Sequence, residues 1–234
     1  MKTLSIRRLV PPPARLGEFS PLLASLVVTV ILAPMLEAHR VSGSILLTIV
    51  LLNGIFAVRR DRHVLVATLV FLIPALAAIW ISESLDSSQS LATVVAQSLL
   101  AIYLFFIAVI VMLAVLGHAQ VGPQTIVGAV CVYLLIAFVF ACLYVIVEIS
   151  VPGSLDFSGT SIAANDPSIA NTAFPRLLYF SFVTLTTLGY GDIVPVSGTA
   201  RSLTICETLA GQLFLAAFIA RLVGSMIATH RSSN

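Results

Sequence analysis

The sequence predicts an all-α membrane protein: six transmembrane helices, with a short re-entrant helix and an extended segment between the fifth and the sixth. Three observations predict it. Hydrophobic residues make up 59% of the 234 residues and charged ones only 9%, and the mean hydropathy is +1.09, more apolar surface than a soluble core requires. Six apolar stretches approach the ~20 residues that a hydrocarbon layer ~30 Å thick demands. The run "TLTTLGYGDIVP" (184–195) then breaks this pattern with threonines and glycines that disfavour helix.

The six stretches are Phe19–Ala38, Val41–Val58, Val64–Ile81, Leu91–Leu116, Thr125–Val147 and Leu203–Leu222. A basic, proline-bearing leader (Lys2, Arg7, Arg8, Pro11–Pro13, Arg15) precedes the first, but no small-residue cleavage pattern follows, so it reads as a true helix and not a signal peptide. Short loops at 39–42, 59–63 and 82–90 join the first four spans, which form an N-terminal four-helix region over 1–120. Residues 121–234 are laid out differently: span, polar connection, short apolar piece, the quoted run, span. The connection Ser150–Phe174 is a loop by composition. After it, "PRLLYFSFVTLTT" opens on Pro175, a good first-turn residue. About twelve helical residues rise only ~18 Å, too short to span. Non-helical backbone at membrane depth is tolerated only inside protein or along a watery cavity, so a polar path is expected here.

The residue types of the quoted run fit such a path. For successive carbonyls to point one way, alternate residues need left-handed or otherwise unusual dihedrals, and Gly189 and Gly191 adopt them without Cβ cost. Tyr190 supplies a large ring with a hydroxyl to brace the strand from behind. The preceding helix directs its C-terminal end, with partial negative charge from unpaired carbonyls, toward the membrane centre, where a cation would be stabilised.

"TTLGYGD" (Thr186–Asp192) resembles the selectivity filter of the tetrameric potassium channel superfamily. The resemblance runs over roughly Thr125–Gly224. It implies a bacterial-type chain with a two-helix pore domain over 121–234 (outer helix, pore helix, filter, inner helix), hence six transmembrane helices with a re-entrant pore helix and selectivity filter between helices 5 and 6. It implies an ion-coordinating filter of Thr187, Leu188, Gly189, Tyr190 and Gly191. K⁺ would be held by the carbonyls of Thr187, Leu188, Gly189 and Tyr190 and by the Thr187 hydroxyl. Thr186, Asp192, Val183 and Glu148 would support the filter. Leu188 stands where many members carry Val or Ile. Val183 stands where some hold a carboxylate paired with the filter aspartate, so that partner of Asp192 is absent. Gly211, nineteen residues after Asp192, matches the inner-helix hinge glycine; bending and close packing are both open readings, because mid-helix Gly costs ~1 kcal/mol and small residues serve both. Leu215, Ile219 and Val223 share its face and, with Gln212, would line the lower cavity. The implied function is passive, K⁺-selective conduction by a homotetramer, one filter strand per chain requiring four chains. A non-selective monovalent cation channel of the same architecture is the alternative.

Charge placement adds orientation. With the N-terminus cytoplasmic, Lys2, Arg7, Arg8, Arg15, Arg59, Arg60, Arg62, Arg221 and Arg231 fall inside, against Arg40, Arg176 and Arg201 outside, in keeping with the positive-inside rule. A multi-pass protein of the cell inner or plasma membrane, both termini cytoplasmic, is expected. The net charge of +2 identifies no partner class. Lipid, K⁺ and further copies of the chain are the expected partners, without nucleic acid. Glu207 is the one acidic residue deep in a span, placed to hydrogen-bond pore-helix hydroxyls or to tune ion occupancy. Glu148 is read as a brace of the outer pore. His118, before the fifth span, is placed to couple cytoplasmic pH to the pore, with a plain solvated linker residue as the other reading.

The fourth span contains no Arg or Lys, which argues against a voltage sensor built on moving arginines. With about a dozen residues after Leu222, no cytoplasmic ligand-binding domain is expected, and gating is expected from the filter, inner helices, lipid, pH or a separate protein. Cys131, Cys142 and Cys206 lie within spans without metal-ligand spacing and read as small buried hydrophobes. No Ser/His/Asp grouping, metal cluster or phosphate loop is present to suggest an enzyme, and no cofactor is expected beyond K⁺ as the permeant ion.

Overall fold

The computed structural model describes residues 19–33, 40–58, 62–84, 90–117, 121–157 and 169–232. They form α1 (Ser20–Leu32), α2 (Arg40–Val58), α3 (Arg62–Ser84), α4 (Ser90–Gly117), α5 (Pro123–Ser150), β1 (Leu155–Phe157), α6 (Ile169–Leu185), β2 (Ile193–Pro195) and α7 (Gly198–Ser232). Each apolar stretch read from the sequence contains a helix among the described residues. By length and composition four of them can cross a membrane: Arg62–Ser82, Leu91–Gly117, Pro123–Ser150 and Gly198–Ser225. The apolar parts of the first two, Ser20–Leu32 and Ser44–Phe56, are shorter. The expected first span to Ala38 is therefore described only as far as Ala33, and residues 34–39 lie outside the described residues.

Consecutive helices pack side by side from α1 to α5, as short connections favour. α5 is the hub, touching α1, α4, α6 and α7. The core runs along α4 and α5, through Leu100, Tyr103, Leu104, Ile107 and Val111 and through Cys131, Leu135, Phe138, Tyr144 and Val145. Small residues set the close approaches. A Cβ on Gly128 would lie 2.7 Å from Val115 and 3.1 Å from Phe19, so α5 meets α4 and the start of α1 almost backbone-first. Tyr103 is buried because Gly54 leaves room for its ring end and the Leu51 carbonyl, at 2.6 Å, accepts from its hydroxyl.

Three boundaries differ from the sequence reading. α6 starts at Ile169, so Pro175 lies inside the helix rather than opening it. Its ring deletes one N–H to the fourth residue back, a loss confined to a single rung. The connection read as pure loop contains β1, which pairs antiparallel with β2 (Leu155↔Pro195, Asp156↔Val194, Phe157↔Ile193). Three-residue strands leave no periodic trace, and this pairing is not local. α7 begins at Gly198, five residues earlier than read, because the Ser197 hydroxyl accepts the Ala200 N–H at 3.1 Å and caps the first turn. Cys131 and Cys142 are buried as expected, whereas Cys206 faces outward on α7.

Candidate ion-conducting site

From Phe174 to its end α6 is largely buried: Phe174, Leu177, Leu178, Phe180, Ser181, Val183 and Leu185 are all enclosed. Exposure then changes abruptly, and Thr186 to Gly191 are exposed in the single chain. The turn is made by backbone groups. Thr186 N–H donates to Phe182 O (3.0 Å), Thr187 N–H to Thr184 O (2.9 Å), and Leu188 and Gly189 N–H both to Val183 O (2.9 and 3.3 Å). The Tyr133 hydroxyl donates to Leu185 O at 3.2 Å. The unpaired last-turn carbonyls expected from the sequence are thus all occupied, because the strand folds back over the helix end before running on. The summed peptide dipole of α6 still points its negative end at this turn.

Beyond the turn, φ is positive at Thr187 (58°), Gly189 (58°) and Gly191 (81°), every second residue. The expected alternation is present, and it includes a threonine. A β-branched residue at φ > 0 is a genuine outlier, costing on the order of 1–3 kcal/mol. Nothing lies within 4 Å of a Cβ built on Gly189 or Gly191, so glycine is required there by backbone conformation and not by crowding. Leu188 and Tyr190 are 54% and 67% exposed on the same strand.

Asp192 is half-buried and accepts from the Tyr179 hydroxyl on α6 at 2.8 Å. Val183, where the carboxylate partner is missing, is buried and serves the strand through its carbonyl alone. Tyr179 was not singled out from the sequence; it sits one turn before Val183, so the signal was a hydroxyl at helical spacing rather than an acid at the customary place. Glu148, at the end of α5, accepts from the backbone N–H groups of Gly153 (2.8 Å) and Leu155 (3.0 Å). It thereby places β1, and β1 holds β2 directly after Asp192. The Ser154 carbonyl adds bonds from Val196 and Ser197 N–H. The strand is therefore held at both ends by α5 and α6.

α7 passes behind this unit without a break. A Cβ on Gly211 would lie 2.6 Å from Leu185 Cδ1 and 2.9 Å from Leu185 O, so close packing against the end of α6 is what the structure requires of this glycine. Glu207, one turn earlier, has no exposed surface. It meets the Tyr144 hydroxyl of α5 at 2.6 Å and the Ser181 hydroxyl of α6. Gln212, Ile219 and Val223 are exposed and Leu215 is half-buried. Arg221 donates to the Leu116 carbonyl at the end of α4 (3.1 Å). His118 lies outside the described residues. The sequence reading set Glu207 against pore-helix hydroxyls without naming one; Ser181 of α6 is such a hydroxyl, whereas the Tyr144 hydroxyl of α5 is a partner that only the packing reveals.

The ion channel family profile matches residues 151–228, which is the stretch from β1 through α6 and the strand into α7. The chain is 30% identical over 114 residues to a voltage-gated inwardly rectifying potassium channel of Mus musculus, covering 42% of this chain and 10% of that protein. It is 38% identical over 60 residues to two-pore potassium channel 4 of Arabidopsis thaliana (26% and 21% covered). Over 49 residues it is 45% identical to the voltage-gated potassium channel Kch of Escherichia coli strain K12 (21% and 12% covered). The aligned part thus spans about a fifth or less of each of these relatives. No solved structure matches the chain. A family profile that runs from just before β1 into α7, and three potassium channels that align to parts of this chain, agree with the glycine-alternating segment at the end of a short helix: this stretch of the chain is similar to the ion channel family and to potassium channels.

Proposed function

We propose that the protein conducts K⁺ selectively and passively as a homotetramer, with the carbonyls of Thr187, Leu188, Gly189 and Tyr190 replacing the ion's hydration shell. The observation that carries the reading is the alternation of positive φ at Thr187, Gly189 and Gly191, the backbone pattern that turns successive carbonyls to one side. In this reading six helices span the membrane, α6 is re-entrant, residues 121–234 form the pore domain and residues 1–120 surround it. Both termini are cytoplasmic, no cofactor takes part, and no substrate is chemically changed. Gln212, Leu215, Ile219 and Val223 line the lower pore, and Gly211, packed against Leu185, acts as a hinge when α6 moves with α7. The names of the relatives support K⁺ as the ion. Two of them are called voltage-gated, but α4 carries no Arg or Lys, so arginine-driven sensing is not part of the proposal.

The deciding experiment is a reversal potential of the purified protein in a planar bilayer with K⁺ on one side and Na⁺ on the other. A value close to the K⁺ equilibrium potential supports the reading. A robust current reversing near zero replaces it with a non-selective cation pore, and Leu188→Val then becomes the first variant to make.

A further inference from the structure

The Glu207 cluster closes only with one particular count of protons. Ser181 Oγ lies 2.8 Å from the Ala137 carbonyl oxygen and within hydrogen-bond reach of Glu207 Oε1. A carbonyl only accepts, an ionised carboxylate only accepts, and a serine hydroxyl has one proton to give. Were Glu207 ionised, Ser181 would face two acceptors with a single donor, and one contact would press two oxygens together with no proton between them. Tyr144 cannot relieve this. Its proton is directed at Glu207 Oε2, and its other neighbour, Thr204 Oγ1 at 3.4 Å, already donates to the Ala200 carbonyl. Among the described residues the partners of Glu207 are hydroxyls and include no cation. The titratable groups that interact with it are Tyr144 and Tyr133 on α5, and Cys206 is its chain neighbour on α7.

We propose that Glu207 is a neutral carboxylic acid at neutral pH, its proton on Oε1, completing a one-way chain of donors. Tyr144 donates to Oε2, Oε1–H donates to Ser181 Oγ, and Ser181 donates to the Ala137 carbonyl. Each proton is used once and no two acceptors face each other. The chain starts and ends on α5 and passes through α7 and α6, so it binds the three helices behind the filter into one unit. Ser181 stands one turn before Leu185, and Glu207 one turn before Gly211. The acid and the Gly211–Leu185 contact therefore clamp the last turn of α6 to α7 at two successive levels. Glu207 is a positioning residue for the filter, and its bound proton is what lets it hold Ser181. Loss of that proton would leave a carboxylate among apolar helices with too few donors, the costliest of buried groups.

The inference rests on the reading of α6 and the strand as the ion path, so its test has one arm that does not involve ions. In that arm, infrared difference spectra compare the full chain and Glu207→Gln in liposomes at neutral pH. The expected result is loss of one protonated-carboxyl C=O band in the variant, with a shift of that band in Ser181→Ala. Loss of ionised-carboxylate bands instead overturns the proposal, whether or not the protein conducts. The second arm is K⁺ flux. Glu207→Ala should reduce it about tenfold or more by leaving buried hydroxyls without partners. Glu207→Gln, whose amide can donate to Ser181 and accept from Tyr144, should restore it. Glu207→Ala with undiminished, K⁺-selective flux overturns the positioning role, as does failure of Glu207→Gln to restore flux when its spectrum confirms a folded protein.

Discussion

α5 and α7 flank the same strand, and both are long and apolar, yet the protomer treats them oppositely. α5 is enclosed by α1, α4, α6 and α7, with Leu135, Phe138, Ala141, Tyr144 and Val145 wholly buried. α7 is covered along one stripe, at Glu207 and Gly211 and partly at Phe214 and Phe218. Its Ile205, Leu209, Leu213, Ile219 and Val223 are 50–67% exposed. An enclosed helix organises the subunit, whereas a bare one records what the subunit needs from outside. Lipid could cover the apolar face of α7 alone. It cannot cover the exposed Thr186–Gly191 backbone, whose polar groups need protein or water. Under the proposed function, further copies of the chain around an axis would cover both the bare helix and the bare segment.

The comparison can be broken most severely at the strand. Gly189→Ala places a Cβ in open space but at φ 58°, a conformation costing about 1–2 kcal/mol per chain. The expected outcome is loss of K⁺ over Na⁺ selectivity with membrane insertion retained, read as a reversal potential moving to zero. Unchanged selectivity would separate the bare strand from the ion path. The next largest effect contrasts the helices directly. Leu135→Ala, on the enclosed face of α5, should destabilise the protein by about 2–5 kcal/mol. Leu213→Ala, at 67% exposure on α7, should change the stability of the single chain by less than about 1 kcal/mol while lowering the fraction of the proposed tetramer in native mass spectrometry. Equal destabilisation by the two would end the distinction.

Gly211→Ala sharpens it further, because here α7 is the crowded partner. The added methyl meets Leu185, and overpacking of this kind costs about 1–3 kcal/mol. A lowered thermal midpoint together with reduced conductance is expected, while a stabilised protein would show that α7 can withdraw from α6. Tyr179→Phe should act most mildly. It removes one donor to Asp192, worth about 1 kcal/mol, and should speed the decay of current during sustained K⁺ flow about fivefold without altering the reversal potential.

Much of the architecture was legible because it depends on composition. Apolar runs of membrane length contain helices, and a helix-breaking run with two glycines became a non-helical segment with alternating φ. Thr187 was harder, since no propensity argument places a β-branched residue at φ > 0; only a neighbourhood that over-determines the turn, with Val183 and Thr184 carbonyls occupied, holds it there. Cys206 points out of the protomer for a related reason. Residence in a span says that a side chain avoids water, but not whether it meets protein or lies at the surface.

By itself the sequence determined which segments are helical, that residues 186–192 are not, and that Glu207 must find hydrogen-bonding partners. These follow from local rules: hydrophobic length, glycine's freedom, and the cost of a buried polar group. Only the tertiary structure decided that Tyr144 and Ser181 are those partners, that Tyr179 takes the place beside Asp192, and that Gly211 gives way to Leu185. Each of these joins residues on different helices, and which faces meet depends on how the helices pack against one another, a choice that no single stretch of chain contains.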